Sequence, residues 1–304
     1  MIVYYSNNDS RDMHLLLTGI AFYLEKHFNA TLIEKKYNTI KDNDIEITLT
    51  DTQLLIHISE QDRFIGIDFA DNQSMLIGFF RSRNNSNDIL LYAQLAMTEF
   101  YQNPNAYNFK IKNSIYTPSF PYISLEPYYE KRKTISEYID KFVFWGNYKA
   151  MNRKAVELLQ NESLFIGGGY ISNYFDEVIN YKVGLAIPGI GELCYRDIEY
   201  MAMGVPLMKF EYITQLNPPL IPDYHYINVP RIDTPEDYKS MGGILARERE
   251  AEQRHADAYL KRYKEIKDDT VFLNFISNNA RKYYETYLHP DTRVKHVVSL
   301  LELN

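Results

Sequence analysis

The stretch of residues 181–210, YKVGLAIPGIGELCYRDIEYMAMGVPLMKF, constrains the fold most, because its hydrophobic pattern changes period twice within a short span. An apolar run is followed by Pro188 and Gly189, which predicts a buried strand that ends in a tight turn. After Gly191 the apolar residues recur at helical spacing, and Gly204 is typical of a residue that ends a helix. A second apolar run follows at once. The stretch therefore predicts a strand, a glycine-bearing loop, a helix and another strand.

The loop before this helix is a candidate anion-binding loop. The first N–H groups of a helix have no partner within the helix, and the helix dipole is positive at that end. Ligands of open α/β sheets bind at the carboxyl ends of the strands, and glycine lets them approach the backbone. The candidate residues are Gly189, Ile190, Gly191 and Glu192. The same glycines also fit a simple turn.

The helix itself carries Arg196 and Glu199, which are three positions apart and therefore share a face. A solvated ion pair is one interpretation of that spacing, and a functional pair is the other. Cys194 is the single cysteine of the chain, so no internal disulfide can form. Its place in a helix favours a buried core residue over a nucleophile.

The segment GELCYRDIEYMAMGVPLM resembles the donor-binding segment of glycosyltransferases of the GT-B type, and the wider layout is most similar to the exostosin, CAP10 and CgeB-like groups. In that family an acid on the helix binds the ribose hydroxyls of a nucleotide sugar, and the glycine loop faces the diphosphate. The resemblance implies that Glu199 holds the ribose, that Arg196 lies at the donor site and that residues 189–192 face the diphosphate. Glu192 and Glu199 are seven apart, one residue fewer than the glutamate pair of the retaining enzymes.

A second segment, KFVFWGNYKAMNRKAVELL, resembles the opening of the donor domain in the same enzymes. There a glycine after the first strand and a basic residue in the following helix approach the diphosphate. The resemblance implies this role for Gly146, Asn147 and Arg153. Without it, the glycine is a plain turn and the arginine a solvated helix residue.

The resemblance implies an α/β fold of two Rossmann-like domains that face each other across a cleft. We expect an N-terminal acceptor domain in residues 1–125, a linker in 126–140, a donor domain in 141–285 and a closing helix in 286–304 that crosses back to the N-terminal domain. The likeness is clearest over residues 140–304. Over residues 1–125 it is one of architecture.

The N-terminal half predicts a βαβ opening, with a strand at 2–5, a helix at 14–28 and a strand at 31–33. Two strands at 45–49 and 54–58 are expected to meet at a turn, and a helix is expected at 89–101. Asp9 follows the first strand, and Asp68 and Asp71 follow the strand predicted at 63–69. Each could deprotonate an acceptor hydroxyl, or could simply form a turn or cap a helix.

Composition and missing motifs narrow the function. A net charge of −7 over 304 residues argues against general nucleic-acid binding. No apolar run reaches the ~20 residues of a membrane helix, and no secretory signal is visible, so a cytoplasmic protein is expected. The loop after the first strand lacks G-x-G-x-x-G, and the second half has no D-x-D motif. Neither a dinucleotide cofactor nor a metal is therefore expected.

These observations predict a metal-independent glycosyltransferase that moves a sugar from a UDP- or GDP-sugar to a hydroxyl of a glycan or protein acceptor. Two alternatives stay open at this point. One is a non-catalytic sugar- or nucleotide-binding protein on the same scaffold. The other is a nucleotide-sugar epimerase of the same two-domain build.

Overall fold

The computed structural model describes residues 1–5, 12–34, 38–42, 45–49, 53–68, 83, 87–92, 114–116, 125–148, 153–188, 193–212, 216, 218–232, 238–241, 244–247, 249–301 and 303. Contacts divide the chain into two compact units. Unit 1 comprises Met1–Ile123, Thr214–Pro218 and Tyr287–Asn304, and unit 2 comprises Ser124–Ile213 and Pro219–Thr286.

The elements follow in chain order. They are β1 (Ile2–Tyr5), α1 (Asp12–Phe28), β2 (Thr31–Glu34), β3 (Asn38–Asp42), β4 (Ile45–Leu49), β5 (Gln53–Ile58), β6 (Arg63–Asp68), β7 (Ile89–Tyr92), β8 (Ser114–Tyr116), α2 (Glu126–Lys133), β9 (Ile139–Trp145), α3 (Ala155–Leu159), β10 (Phe165–Gly168), α4 (Tyr174–Val178), β11 (Tyr181–Leu185), α5 (Tyr195–Met203), β12 (Leu207–Phe210), β13 (Ile227–Val229), β14 (Tyr238–Met241), β15 (Ile244–Arg247), α6 (Arg249–Ile266), α7 (Thr270–Tyr283) and α8 (Pro290–Ser299).

Unit 1 contains a mixed sheet of six strands in the order β2-β1-β5-β6-β7-β8. The predicted βαβ opening is confirmed, since β1 and β2 are parallel and α1 connects them. The predicted turn between residues 45–49 and 54–58 is wrong, because β4 pairs with β3 and β5 lies antiparallel between β1 and β6. The helix predicted at 89–101 is also wrong where it is described. The apolar run Ile89–Tyr92 forms β7, which pairs in parallel with β6.

The core of unit 1 contains residues from the first and the last elements of the chain. Val3 of β1 and Ile20 of α1 are fully buried in one cluster with Val297 and Leu301, which lie in and just after α8. The helices α1 and α8 approach closely enough that a Cβ on Gly19 would lie 3.3 Å from the Val294 side chain. The predicted return of the last helix to the N-terminal domain is therefore confirmed.

Unit 2 contains a parallel sheet of five strands in the order β10-β9-β11-β12-β13. Numbered within the unit, this order is 2-1-3-4-5, which is one of the common doubly wound arrangements. The strand, helix and strand predicted in residues 181–210 are β11, α5 and β12. Gly204 ends α5 in the left-handed conformation, with φ of 67°, as predicted for the residue after a helix.

Two segments of unit 2 differ from expectation. The predicted linker, residues 126–140, carries α2, and Arg132 of this helix donates hydrogen bonds to the carbonyl oxygens of Gly204 and Tyr181 at 2.9 and 3.0 Å. The sequence PEDY at 235–238 is typical of the start of a helix, but Tyr238 begins the strand β14, which pairs antiparallel with β15. Within the described ranges, no helix is both long and apolar enough to cross a membrane.

Candidate functional site

The sheet of unit 2 marks the place where a ligand is expected. In the sheet, β10 lies on one side of β9, whereas β12 lies on the opposite side of β11. The direction in which successive strands are added therefore reverses between the neighbours β9 and β11. In open α/β sheets the crevice outside the carboxyl ends of two such strands binds the ligand. The described residues at this edge include Trp145, the last residue of β9, Gly146 and Asn147 after it, and Pro188 after β11.

Arg196 of α5 lies across this edge. Its Nε donates a 2.8 Å hydrogen bond to the carbonyl oxygen of Trp145, and its guanidinium carbon lies 4.5 Å from the centre of the Phe144 ring. Gly146 adopts φ of 149°, and a Cβ there would lie 1.6 Å from Nη2 of Arg196. The residue must therefore be glycine both for its backbone conformation and for the arginine's approach.

Arg153 reaches the same edge from the segment before α3. The residue is 8% exposed, and it donates to the carbonyl oxygens of Pro188 at 3.3 Å and Asn147 at 3.0 Å. Burial lowers the pKa of its guanidinium, and the nearby charge of Arg196 lowers that pKa further. In the part of the chain that the structure describes, neither guanidinium forms an ion pair with a carboxylate.

Glu199 lies one turn further along α5 and is 8% exposed. Its Oε2 accepts a 2.7 Å hydrogen bond from the hydroxyl of Tyr174, the first residue of α4. Burial, with the charges of Tyr200 and Glu199, raises the pKa of Tyr174 well above its usual value, so this hydroxyl is a donor. Glu199 and Arg196 thus have separate partners and do not form the solvated pair that their spacing allowed.

A buried ionic network lies beneath the start of α5, and the sequence did not predict it. Asp197 is fully buried, and its carboxylate accepts hydrogen bonds from the backbone N–H of Cys194 at 2.9 Å, from Nζ of Lys209 at 2.5 Å and from the hydroxyl of Tyr212. Lys209 is also fully buried, with Nζ 3.6 Å from the centre of the Tyr212 ring. The available signal was a lysine within the otherwise apolar strand LMKF, since lysine is almost never buried without a partner.

Cys194 is the N-cap residue of α5, and its thiol lies 2.9 Å from the Asp197 carboxylate. Burial raises the pKa of the thiol to about 11. The thiol is therefore protonated at neutral pH, which argues against a nucleophile, but the residue is half-buried and is not the buried core residue that was predicted.

The remaining predicted site residues divide into two groups. Asp68 is the last residue of β6, whose carboxyl end lies at the same edge of the unit 1 sheet as that of β1. The second group lies outside the described residues and consists of Asp9, Asp71, Gly189, Ile190, Gly191 and Glu192. The side chain of Asp68 is not among those described either. Among the described residues, no three His, Cys, Asp or Glu side chains form a group that could hold a metal ion.

Two other polar residues, Arg83 and His225, have structural partners. Arg83 donates from Nε to the Asp88 carboxylate at 3.0 Å and from Nη2 to the Asp62 carboxylate at 3.3 Å. His225 is 9% exposed, and its Nδ1 accepts a 2.9 Å hydrogen bond from the backbone N–H of Ile221. Both residues stabilise turns of their own unit.

Comparison with known proteins finds likeness only at the level of the fold. No family model matches the chain, and no curated protein matches it. The similar solved structures include a glycosyltransferase from Rickettsia africae ESF-5, with 9% identity over 97% of this chain and 83% of that chain and a TM-score of 0.44. WaaG, a glycosyltransferase involved in lipopolysaccharide biosynthesis, shows 10% identity over 100% of both chains and a TM-score of 0.44. Sucrose-phosphate synthase from Thermosynechococcus elongatus shows 10% identity over 98% of this chain and 72% of that chain and a TM-score of 0.45.

All three likenesses have TM-scores below 0.5, so the fold rests on this chain's own topology, which is α/β with a parallel, Rossmann-like sheet in unit 2.

Proposed function

We propose that the chain is a glycosyltransferase that moves a sugar from a UDP- or GDP-sugar to a hydroxyl group of a glycan or protein acceptor, without a metal ion. One observation carries the proposal. At the switch point of the unit 2 sheet, Arg153 and Arg196 have no carboxylate partner among the described residues, and the buried carboxylate of Glu199 lies on the same helix as Arg196. Two cations and one anion suit a ligand that has a diphosphate and a diol.

Each of the three side chains has a part in this proposal. Glu199 accepts hydrogen bonds from the ribose hydroxyls, while Tyr174 holds its other side. Arg153 and Arg196 donate to the diphosphate, and both are fixed in advance by backbone carbonyls at 2.8 to 3.3 Å. Gly146 and Asn147 lie beside them, and residues 189–192 complete the loop that the resemblance assigns to the diphosphate.

The reaction needs positive charge at the leaving group. The acceptor oxygen attacks the anomeric carbon, the bond from that carbon to the diphosphate oxygen breaks, and negative charge accumulates on the leaving diphosphate. Fixed guanidinium groups stabilise such charge because they need no reorganisation as it develops. Arg153 and Arg196 supply this function in place of a metal. The acceptor's proton passes to a carboxylate base, for which Asp68, Asp71 and Asp9 are the candidates.

A thermal-shift screen against UDP-, GDP-, TDP- and CMP-sugars tests the donor site. We expect a saturable rise in melting temperature with at least one donor, because a ligand that binds only the folded state stabilises it. No rise with any of the four classes would contradict the proposal. The screen also identifies the nucleotide, which then serves as the probe for the variants.

Glu199→Gln keeps the shape of the side chain but removes its charge and one acceptor. We expect nucleotide binding to weaken about 10- to 100-fold, with the melting temperature of the free protein nearly unchanged. Glu177→Gln is a matched control, since Glu177 also accepts a 2.7 Å hydrogen bond from a tyrosine, Tyr181, in the same unit. Equal binding by the two variants, or a much lower melting temperature for Glu199→Gln alone, would show that Glu199 has only a structural role.

Changing each candidate base to asparagine tests catalysis separately from binding. Loss of the general base is expected to lower kcat about 10²- to 10⁴-fold, with nucleotide affinity unchanged. If Asp9→Asn, Asp68→Asn and Asp71→Asn all keep full transfer activity, none of them is the base. Donor consumption in the absence of any acceptor would indicate an epimerase instead of a transferase.

A further inference from the structure

A cavity with a mixed polar and apolar lining lies in unit 2, away from the carboxyl edge of its sheet. Its volume is about 230 Å³, and its walls include Lys182 near the start of β11, the turn at Gly204 and Pro206 that precedes β12, and Asn274 of α7. These positions are at the amino ends of β11 and β12. Arg153 and Arg196, by contrast, lie at the carboxyl edge. The cavity is therefore distinct from the proposed donor site.

Arg132 of α2 brings a buried positive charge to this cavity. The residue is 5% exposed, and it donates from Nε and Nη1 to the carbonyl oxygens of Gly204, Ile179 and Tyr181. Its guanidinium carbon lies 4.1 Å from the centre of the Tyr138 ring. Burial lowers the pKa of Arg132 to about 10, so the group is still charged at neutral pH.

The charge of Arg132 has no acidic counterpart among the described residues. Its partners there are three neutral carbonyl groups and one aromatic ring, and Nη2 makes no hydrogen bond with any of them. A buried cation is usually paired with an anion, because burial removes the water that stabilises its charge. Carbonyl dipoles and a ring face compensate part of that loss but leave net positive charge at the cavity.

The rest of the wall supplies neutral hydrogen-bond donors. Ser136, Thr270 and Asn274 line the open side of the cavity, where all three residues are exposed to solvent, and their side chains make no hydrogen bond within the described structure. Lys182 also lines it, but its ammonium group already contacts the carboxylate of Asp140 at 3.0 Å. Unused hydroxyl and amide donors around one guanidinium group are the set that binds oxyanions in proteins.

We propose that this cavity is a binding site for a small oxyanion, the phosphate or carboxylate group of a small molecule, with Nη2 of Arg132 as its cationic contact. Ser136, Thr270 and Asn274 supply the neutral donors. The volume accommodates the anionic group with a small remainder and is below the range of about 300 to 1,000 Å³ for drug-sized ligands. The tyrosine ring at 138 and Leu273 give that remainder an apolar wall.

Thermal melting in inorganic phosphate tests the site, with ionic strength held constant by sodium chloride. We expect a saturable rise in melting temperature, and a parallel series in sodium acetate shows whether a carboxylate also binds. No saturable rise in either series would overturn the proposal. Arg132 itself is a poor test position, because its substitution removes three hydrogen bonds and is expected to unfold unit 2.

Asn274→Asp places a negative charge in the cavity without changing the size of the side chain. We expect at least a tenfold loss of apparent phosphate affinity, with an equal or higher melting temperature for the free protein, since the new carboxylate compensates Arg132. Asn278→Asp is the matched control, because Asn278 is exposed on the same helix and does not line the cavity. Equal phosphate affinity in the two variants would overturn the proposal.

Arg196→Gln separates this site from the donor site, where phosphate could also bind. If the cavity is the site, this variant keeps the phosphate-dependent rise in melting temperature. If Arg196→Gln abolishes the rise while Asn274→Asp keeps it, phosphate binds at the donor site and the proposal is wrong.

Discussion

All strands of the unit 2 sheet run parallel, whereas in unit 1 the strand β5 runs against both of its neighbours. A parallel sheet needs a crossover after every strand, and every crossover leaves from the same edge. In unit 2 four buried charged groups, Arg153, Asp197, Glu199 and Lys209, lie near that edge, whereas Arg132 is buried at the opposite, amino edge. The comparison indicates that a parallel sheet offers one edge at which polar groups from several crossovers can meet.

The two units also use their buried ion pairs differently. In unit 1, Arg83 pairs with Asp88, which precedes β7, and Asp88 also accepts a 2.8 Å hydrogen bond from the backbone N–H of Phe64 in β6. In unit 2, the pair of Lys209 and Asp197 fixes the first turn of α5, the helix that carries Arg196 and Glu199. The first pair stabilises a fold, and the second also supports the candidate site.

The largest effect is expected when Lys209 is changed to methionine. Asp197 then remains buried without its cation, which typically costs about 3 to 5 kcal/mol in free energy of unfolding. Urea denaturation measures the loss. Lys182→Met is the control in the same sheet, since Lys182 and its partner Asp140 are 21% and 45% exposed and their pair is worth at most about 1 kcal/mol.

Asp197→Asn in the Lys209→Met background then removes the uncompensated charge, and most of the lost stability should return. A Lys209→Met protein as stable as Lys182→Met would mean that the buried pair does not support α5. The two units would then not differ in how they use their buried ion pairs.

An intermediate effect is expected for Gly146→Ala, which tests the carboxyl edge alone. The new Cβ overlaps the Arg196 guanidinium group and strains the backbone at φ of 149°, so Arg196 must move. We expect nucleotide affinity to fall about tenfold, equivalent to ~1.4 kcal/mol. Titration calorimetry measures the affinity. Gly169→Ala is the matched control, since nothing lies within 4 Å of a Cβ at that position, and it should bind normally.

The sequence predicted those elements whose contacts are made within a short segment of the chain. The strands and helix of residues 181–210 were predicted because each βαβ step lies within a short segment, bounded here by Pro188 and Gly204. The position of β5 between β1 and β6 was not predictable in this way. An alternating strand shows which of its faces is apolar, but it does not show which strand lies beside it.

The residues of the candidate site also fall into those that the sequence predicted and those that it missed. A resemblance in short segments indicated Gly146, Arg153, Arg196 and Glu199. Tyr174 and the pair of Asp197 and Lys209 were missed because their contacts join separate elements, and nothing in the sequence distinguishes Tyr174 among 27 tyrosines. Local pattern therefore indicated the candidate site residues more readily than the residues that position them.

The smallest effect is expected from His225, which connects pH to the stability of unit 2. Burial lowers the pKa of His225 to about 4, from an unfolded value near 6.5. The unfolded chain therefore binds the proton first, so stability is complete above about pH 6.5 and falls as the pH drops toward 4, by about 1 kcal/mol after allowance for solvent screening. His225→Asn keeps an acceptor near Nδ1 and should flatten this part of a pH-dependent urea denaturation series. An unchanged slope would assign the pH dependence to other groups.

The packing of α8 against α1 has a consequence for how the chain folds as it is synthesised. Val297 and Leu301 complete the core of unit 1, yet they follow the whole of unit 2 along the chain. A ribosome therefore releases every strand of the unit 2 sheet before the last core residues of unit 1 emerge. We expect unit 2 to reach its native state before unit 1, because the apolar core of unit 1 stays incomplete until α8 has been synthesised.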